Sequence, residues 1–84
     1  MRVYRKRNWT FSKWEPEPVV HGECAALAEG NHEVELILTK AADKMFHWEV
    51  LHDADTIATG IETTKTAARH AAEVEARRAL MRVI

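Results

Sequence analysis

The chain has 84 residues, 46% hydrophobic and 30% charged, with twelve Lys or Arg against thirteen Asp or Glu and a formal net charge of −1. That length carries one domain and excludes two, so residues 1–84 are read as a single domain. The apolar content excludes a disordered chain, the lack of ~18 unbroken apolar residues excludes a membrane-spanning helix, and the near-neutral charge gives no global pull toward nucleic acid or membrane.

Met1 to Arg7 has the positive charge of a secretion signal, but polar and aromatic residues follow where an apolar stretch should be, so export is not expected. Val3 to Phe11 is rich in aromatic and β-tolerant residues and predicts a strand. Pro16 and Pro18 then predict a turn, because proline removes a ladder donor and fixes its own φ. Val19 to Ala28, with Cys24 as the single cysteine, is read as a second strand. No internal disulfide can form, which fits a reducing compartment, and a cytoplasmic location is expected.

Gly30-Asn31 predicts a turn. From His32 to Lys40 the pattern alternates, with Val34, Leu36 and Leu38 on one face and Glu33 and Glu35 on the other, as in a half-buried strand. After a short connection at Ala41 to Lys44, Phe46, Trp48 and Val50 alternate against Met45, His47 and Glu49. Asp53-Ala54-Asp55 predicts a tight turn into a short strand over Thr56 to Ile61.

From Thr63 or Thr64 onward the composition changes to Ala, Glu, Arg and Leu, which predicts a long helix capped by a threonine hydroxyl. Ala67, Ala71, Val74, Arg78 and Met81 fall on one stripe at three- and four-residue spacing, widened by Leu80 and Ile84. The small first half is expected to lie closely over Phe46, Trp48 and Val50. A helix from Thr63 to Ile84 runs roughly 30 Å, against about 20 Å for strands of about six residues, so its end is expected to overhang the sheet. Leu80, Met81, Val83 and Ile84 would then meet the N-terminal aromatics or a second subunit, giving a homodimer. The fold class expected is α+β: an antiparallel meander sheet of three to five strands with one long C-terminal helix packed on one face.

Charge is unevenly placed. Arg2, Arg5, Lys6, Arg7 and Lys13 precede any acidic residue, whereas Glu15 to Asp55 is predominantly acidic, a distribution that suggests complementarity within the fold or between two copies. The basic run is interleaved with Tyr4, Trp9, Phe11 and Trp14, which supplies cations for phosphates and aromatic faces for unpaired bases. The simpler use of the same residues is structural: Trp9 and Phe11 share a face that fits the core, and Arg5 and Arg7 would guard an edge. At the helix start, free amides near Thr63 and Thr64 with Lys65 and Arg69 suit a phosphate or a carboxylate.

A metal reading would draw on His21, Cys24, His47 and His52, but each pair is separated by an odd number of positions and points to opposite faces of a regular strand. Neither metal nor other cofactor is expected. His47 and Glu49 share a face and could lie beside Glu33 or Glu35, yet no nucleophile sits in a recognisable elbow and no Gly-rich phosphate loop occurs, so the chain is read as no enzyme.

Phe46-His47-Trp48-Glu49-Val50, Gly60 and Thr64-Lys65-Thr66-Ala67-Ala68-Arg69 resemble the second half of double-stranded-RNA-binding domains, where a hairpin leads into Ser-Lys-Lys-x-Ala-Lys at a helix start. The resemblance implies that Lys65 and Arg69 match two of that motif's three phosphate-binding cations, with Thr66 at the third. That family places a helix before its sheet, whereas Val34, Leu36 and Leu38 here read as strand. Trp48-Glu49-Val50, Ala58-Thr59-Gly60 and Thr64 to Ala72 also resemble small actinobacterial phage proteins, which implies an accessory factor acting on a host component.

The expected function is a small non-catalytic binding module that contacts a protein partner, a host component being one candidate, through the outer sheet face or the helix end at Leu80, Met81, Val83 and Ile84. The alternative is nucleic-acid binding through Arg2, Arg5, Lys6, Arg7, Lys65 and Arg69.

Overall fold

The alternating segments pair in chain order because each is joined to the next by a turn too short for anything but an antiparallel return. The computed structural model describes residues 9–83. Strands β1 (Trp9–Phe11) and β2 (Glu15–Glu17) are followed by one 3₁₀ turn at Pro18–Val20. Then come β3 (Gly22–Glu29), β4 (His32–Ala42), β5 (Met45–His52), β6 (Asp55–Glu62) and helix α1 (Lys65–Val83). Both β1 and β2 pair antiparallel with β3, so the six strands form five lanes, and β3 to β6 continue as a meander. With α1 packed on one face, the chain is an α+β fold.

The first lane departs from expectation. Phe11 pairs with Leu27 and Glu15 with Cys24, so the interval Ser12–Trp14 carries one extra residue relative to β3. Ser12 holds that bulge closed: its N–H donates to the Ala26 carbonyl at 2.9 Å and its hydroxyl accepts from the Ala26 N–H at 2.8 Å. The turn predicted at Pro16 and Pro18 is displaced, because Pro16 lies inside β2 opposite Glu23. An edge strand needs no donor on its open side, so proline is tolerated there. Chain reversal waits for Pro18–Val20 and for His21, whose φ is 52°.

One face of the sheet is apolar. Ala25 and Leu27 of β3, Val34, Leu36 and Leu38 of β4, and Trp48 and Val50 of β5 are buried there against Ala68, Ala72, Ala76, Ala79 and Leu80 of α1. Two glycines allow the close approach. A Cβ on Gly22 would fall 1.9 Å from the Leu38 carbonyl oxygen, and one on Gly60 would fall 2.6 Å from the Trp48 ring. Among the described residues the Trp48 Nε1 has no hydrogen-bond partner, so packing against its neighbours holds that indole.

The helix is rotated from the predicted stripe. Arg78 and Met81 are exposed, Met81 by 58%, while the buried face runs through Ala68, Ala72, Ala76, Ala79 and Leu80. Alanines stand side by side at 67 and 68 and at 71 and 72, so the first turns fit either stripe; the second stripe wins because it contains no charge. The predicted overhang also fails. A helix of 19 residues measures about 28 Å, and strands of eight to eleven residues measure about 26 to 36 Å. The strands are longer than assumed, and Leu80 is fully buried over them. No helix among the described residues is long and apolar enough to cross a membrane.

The β5–β6 hairpin closes through Asp53 and Ala54, at φ 52° and 68°, between the paired residues His52 and Asp55. Two-residue hairpins of this twist need positive φ at both positions, where aspartate is tolerated and a Cβ-bearing alanine is strained. Ala54→Gly is expected to stabilise the fold by about 1 kcal/mol, read as a higher urea midpoint at unchanged slope; a midpoint at or below the parent's would contradict the turn geometry.

Candidate functional site

The cationic helix start is occupied by the protein itself. Thr64 caps α1, its hydroxyl accepting from the Ala67 N–H at 3.1 Å. Lys65 Nζ donates to Glu23 Oε2 at 3.3 Å, and Arg69 donates to Glu23 Oε1 through Nε at 2.9 Å and also through Nη2. Glu23 follows the parity of Ala25 and Leu27 and so faces the helix. The carboxylate this helix end suits is therefore Glu23, which ties β3 to α1.

Trp14 extends the clamp. From the bulge it donates its indole N–H to Glu73 at 2.9 Å, and the Arg69 guanidinium lies 5.9 Å from its ring centroid. Phe11 is similarly covered by Arg77 at 5.9 Å. Aromatic residues of the first lane thus serve as packing surfaces for helix cations, which matches the structural use of Phe11 weighed from the sequence.

A cavity of about 370 Å³ opens beside this clamp, lined among others by His21, Glu23, Lys40, Phe46 and Lys65. It lies where β4 and β5 run past the helix start. The charge facing it is mixed, and Lys65 already holds Glu23.

No helix among the described residues covers the opposite face of the sheet. Register lays out its rows: Glu15, Cys24, Ile37, Glu49 and Thr59 form one; Ala26, Glu35, Leu51 and Thr56 form the next; Thr39, His47 and Ile61 lie in a third. Glu33 continues the face beyond Glu35. With Glu17, which joins the third row through Gly22, and with Glu33, these rows carry five carboxylates and no Lys or Arg. Ile37 and Leu51 are half-buried at the centre, and Ile57, Ile61 and Met45 are exposed. The outer face is an apolar strip in an acidic frame.

Two features mark this surface. Burial, followed by the charges of Glu17, Glu15 and Glu35, pushes the Cys24 thiol above its usual pKa. The thiol therefore stays protonated near neutral pH and makes a poor nucleophile. Along β5, His47 Nδ1 lies 3.6 Å from Glu49, while its Nε2 is 2.6 Å from the Thr59 hydroxyl; Thr56 donates to Glu49 at 3.1 Å. His47 and Glu49 do not meet Glu33 or Glu35 directly, because Glu49 is opposite Ile37 and Glu35 is opposite Leu51. They stitch β5 to β6 on the outer face.

Of the sequence-predicted site residues, the structure brings Lys65 and Arg69 together and buries Leu80 in the core. Met81 is exposed, and Arg2, Arg5, Lys6, Arg7, Ile84 and the Val83 side chain lie outside the described residues. No group of three or more His, Cys, Asp or Glu among the described residues is arranged to hold a metal ion. The central apolar strip went unnoticed in the sequence, although Leu36-Ile37-Leu38 breaks the alternation of β4 and signals apolar residues on both faces. No protein-family model, curated protein or solved structure matches the chain.

Burial opposes ionisation of Glu23, but the hydrogen bonds from Arg69 and Lys65 and their charges outweigh it, so its carboxyl titrates below the usual range. Its stabilisation is complete above the ordinary carboxylate pKa of the unfolded chain and is lost as pH falls through the lower folded value. Glu23→Gln is expected to cost about 1–2 kcal/mol near neutral pH, with solvent screening at Lys65 keeping it at the low end. The gap from wild type should close in acid, as followed by urea denaturation across pH; a gap that persists there would rule out the ionised clamp.

Proposed function

We propose that this chain is a small non-catalytic binding module whose uncovered sheet face docks a protein partner with a basic, partly apolar surface. The single observation that carries this reading is the outer face itself: Ile37 and Leu51 at its centre, Ile61 beside them, and Glu15, Glu35 and Glu49 around them with no Lys or Arg on the same rows. Apolar residues give such an interface its core, and complementary charge at the rim sets partner choice and encounter rate. The resemblance to small phage proteins agrees with an accessory role on a host protein in the cytoplasm.

Nucleic-acid binding has less support. Lys65 and Arg69 are engaged by Glu23, and the outer face would repel phosphates. That reading rests on Arg2, Arg5, Lys6 and Arg7 alone.

Quantitative affinity capture from the natural host separates the two. Wild type and Arg78→Ala are expected to retain the same protein, while Glu35→Lys/Glu49→Lys loses it by ~10-fold or more because like charges now face each other. Capture unaffected by the charge reversal would overturn the outer-face reading. Absence of any retained protein, together with duplex binding that weakens steeply with salt, would replace it with the nucleic-acid one.

A further inference from the structure

The two edges of the sheet are built differently. On the first edge, β1 and β2 are short, separated by the Ser12–Trp14 bulge and interrupted by Pro16, all features that discourage further strand pairing. On the other edge, β6 is eight residues long and has no strand beyond it among the described residues. Its middle, Thr56-Ile57-Ala58-Thr59-Gly60-Ile61, carries neither charge nor proline, and its only irregularity is the register shift that leaves Ile57 between Thr56 and Ala58. A row of unpaired backbone N–H and C=O groups on so uncharged a strand is a template for strand addition.

Register chooses the occupant. In an antiparallel pair, residues directly opposite one another both turn their backbone groups toward the partner strand or both turn them away. A strand paired with its own two-fold copy must therefore match positions of the same parity. Centring the pair on Thr59 sets Thr59 against the second copy's Thr59, Ile57 against its Ile61, and Ala58 against its Gly60. The register shift at Ile57 turns Asp55 to the same side of the sheet as Glu62, so regular pairing runs from Ile57 to Ile61 and stops short of both carboxylates. Centring on Ala58 or Gly60 would place Thr59 against an isoleucine in both cases and break the Ile57–Ile61 match.

The side chains fit this arrangement. Ile57 and Ile61 are 42% and 54% exposed on the outer face, where cross-strand apolar pairs stabilise a sheet. The Thr59 hydroxyl turns back to β5, donating to the Trp48 carbonyl at 2.9 Å. On the helix side only Ala58 and Gly60 need meet, and both are small.

We propose that β6 is a self-recognition edge through which a second copy of this chain adds antiparallel, centred on Thr59, to join two five-lane sheets into one. The pair is isologous and uses up each copy's open edge, so assembly closes at two subunits. The two acidic outer faces become one continuous surface with the Ile57–Ile61 seam along its middle.

Sedimentation analysis over low to high micromolar protein tests the proposal. Wild type is expected at twice the monomer mass at the upper end, Ile57→Lys/Ile61→Lys at monomer mass throughout, and Ile57→Lys/Ile61→Glu again as a dimer, since each introduced lysine would face an introduced glutamate. Circular dichroism verifies that the variants fold. In a Cys24→Ser background, Thr59→Cys is expected to form an intermolecular disulfide on oxidation, while Ile57→Cys does not. A wild-type monomer at the highest concentration, a dimer indifferent to the double lysine change, or cross-linking at Ile57→Cys in preference to Thr59→Cys would overturn it. Glu35→Lys/Glu49→Lys is expected to leave the dimer intact, so the edge and the partner-binding face fail or stand separately.

Discussion

The structure depends on an alanine ridge pressed against a sheet. Ala68, Ala72 and Ala76 have no solvent exposure, and Leu80 completes their row. Alanine brings little area but loses no side-chain entropy on burial and lets the helix backbone approach the strands. Large side chains must then come from the sheet, and Leu27, Leu36, Leu38, Trp48 and Val50 supply them. Burying each of these groups contributes on the order of 1.5–3 kcal/mol. Gly60 is small for the same reason: the Trp48 ring lies where its Cβ would be.

One helix can cover only one face. The clamp of Glu23 with Lys65 and Arg69, and the bond from Trp14 to Glu73, draw helix cations and first-lane aromatics onto that face. The carboxylates of Glu15, Glu35 and Glu49 are left on the other face with Ile37 and Leu51. Helix cations and the carboxylates of the outer rows thus lie on opposite sides of the sheet. The helix start, which as a sequence looks like an anion site, is instead an internal fastening. The surface the helix does not touch is the one we propose for recognition.

Much of this was legible in the sequence. The alternation around Leu36 and around Trp48, the turn at Asp53-Ala54 and the threonine cap before Lys65 marked β4, β5, the hairpin and α1, because each depends on local chemistry. Helix rotation was ambiguous, since paired alanines give two equivalent stripes and only the uncharged Ala76, Ala79 and Leu80 distinguish them. The path through Pro16 was hidden because edge position, a non-local property, is what makes proline acceptable in β2. The partner of Arg69 was hidden for a similar reason: Glu23 is 46 residues away, and only the fold brings them together. The outer face depends on register across five lanes, of which the sequence displayed two.

The rotation of α1 is the claim on which the division into a covered and an open face rests. Thermal unfolding of Ala72→Leu and Ala67→Leu, side by side, tests it most directly. A leucine at 72 must force the helix off the sheet and should cost about 1–3 kcal/mol or more, whereas one at 67 should melt close to wild type. The reverse order, or equal losses at both positions, would mean that the other alanine stripe faces the core and that the assignment of faces is wrong.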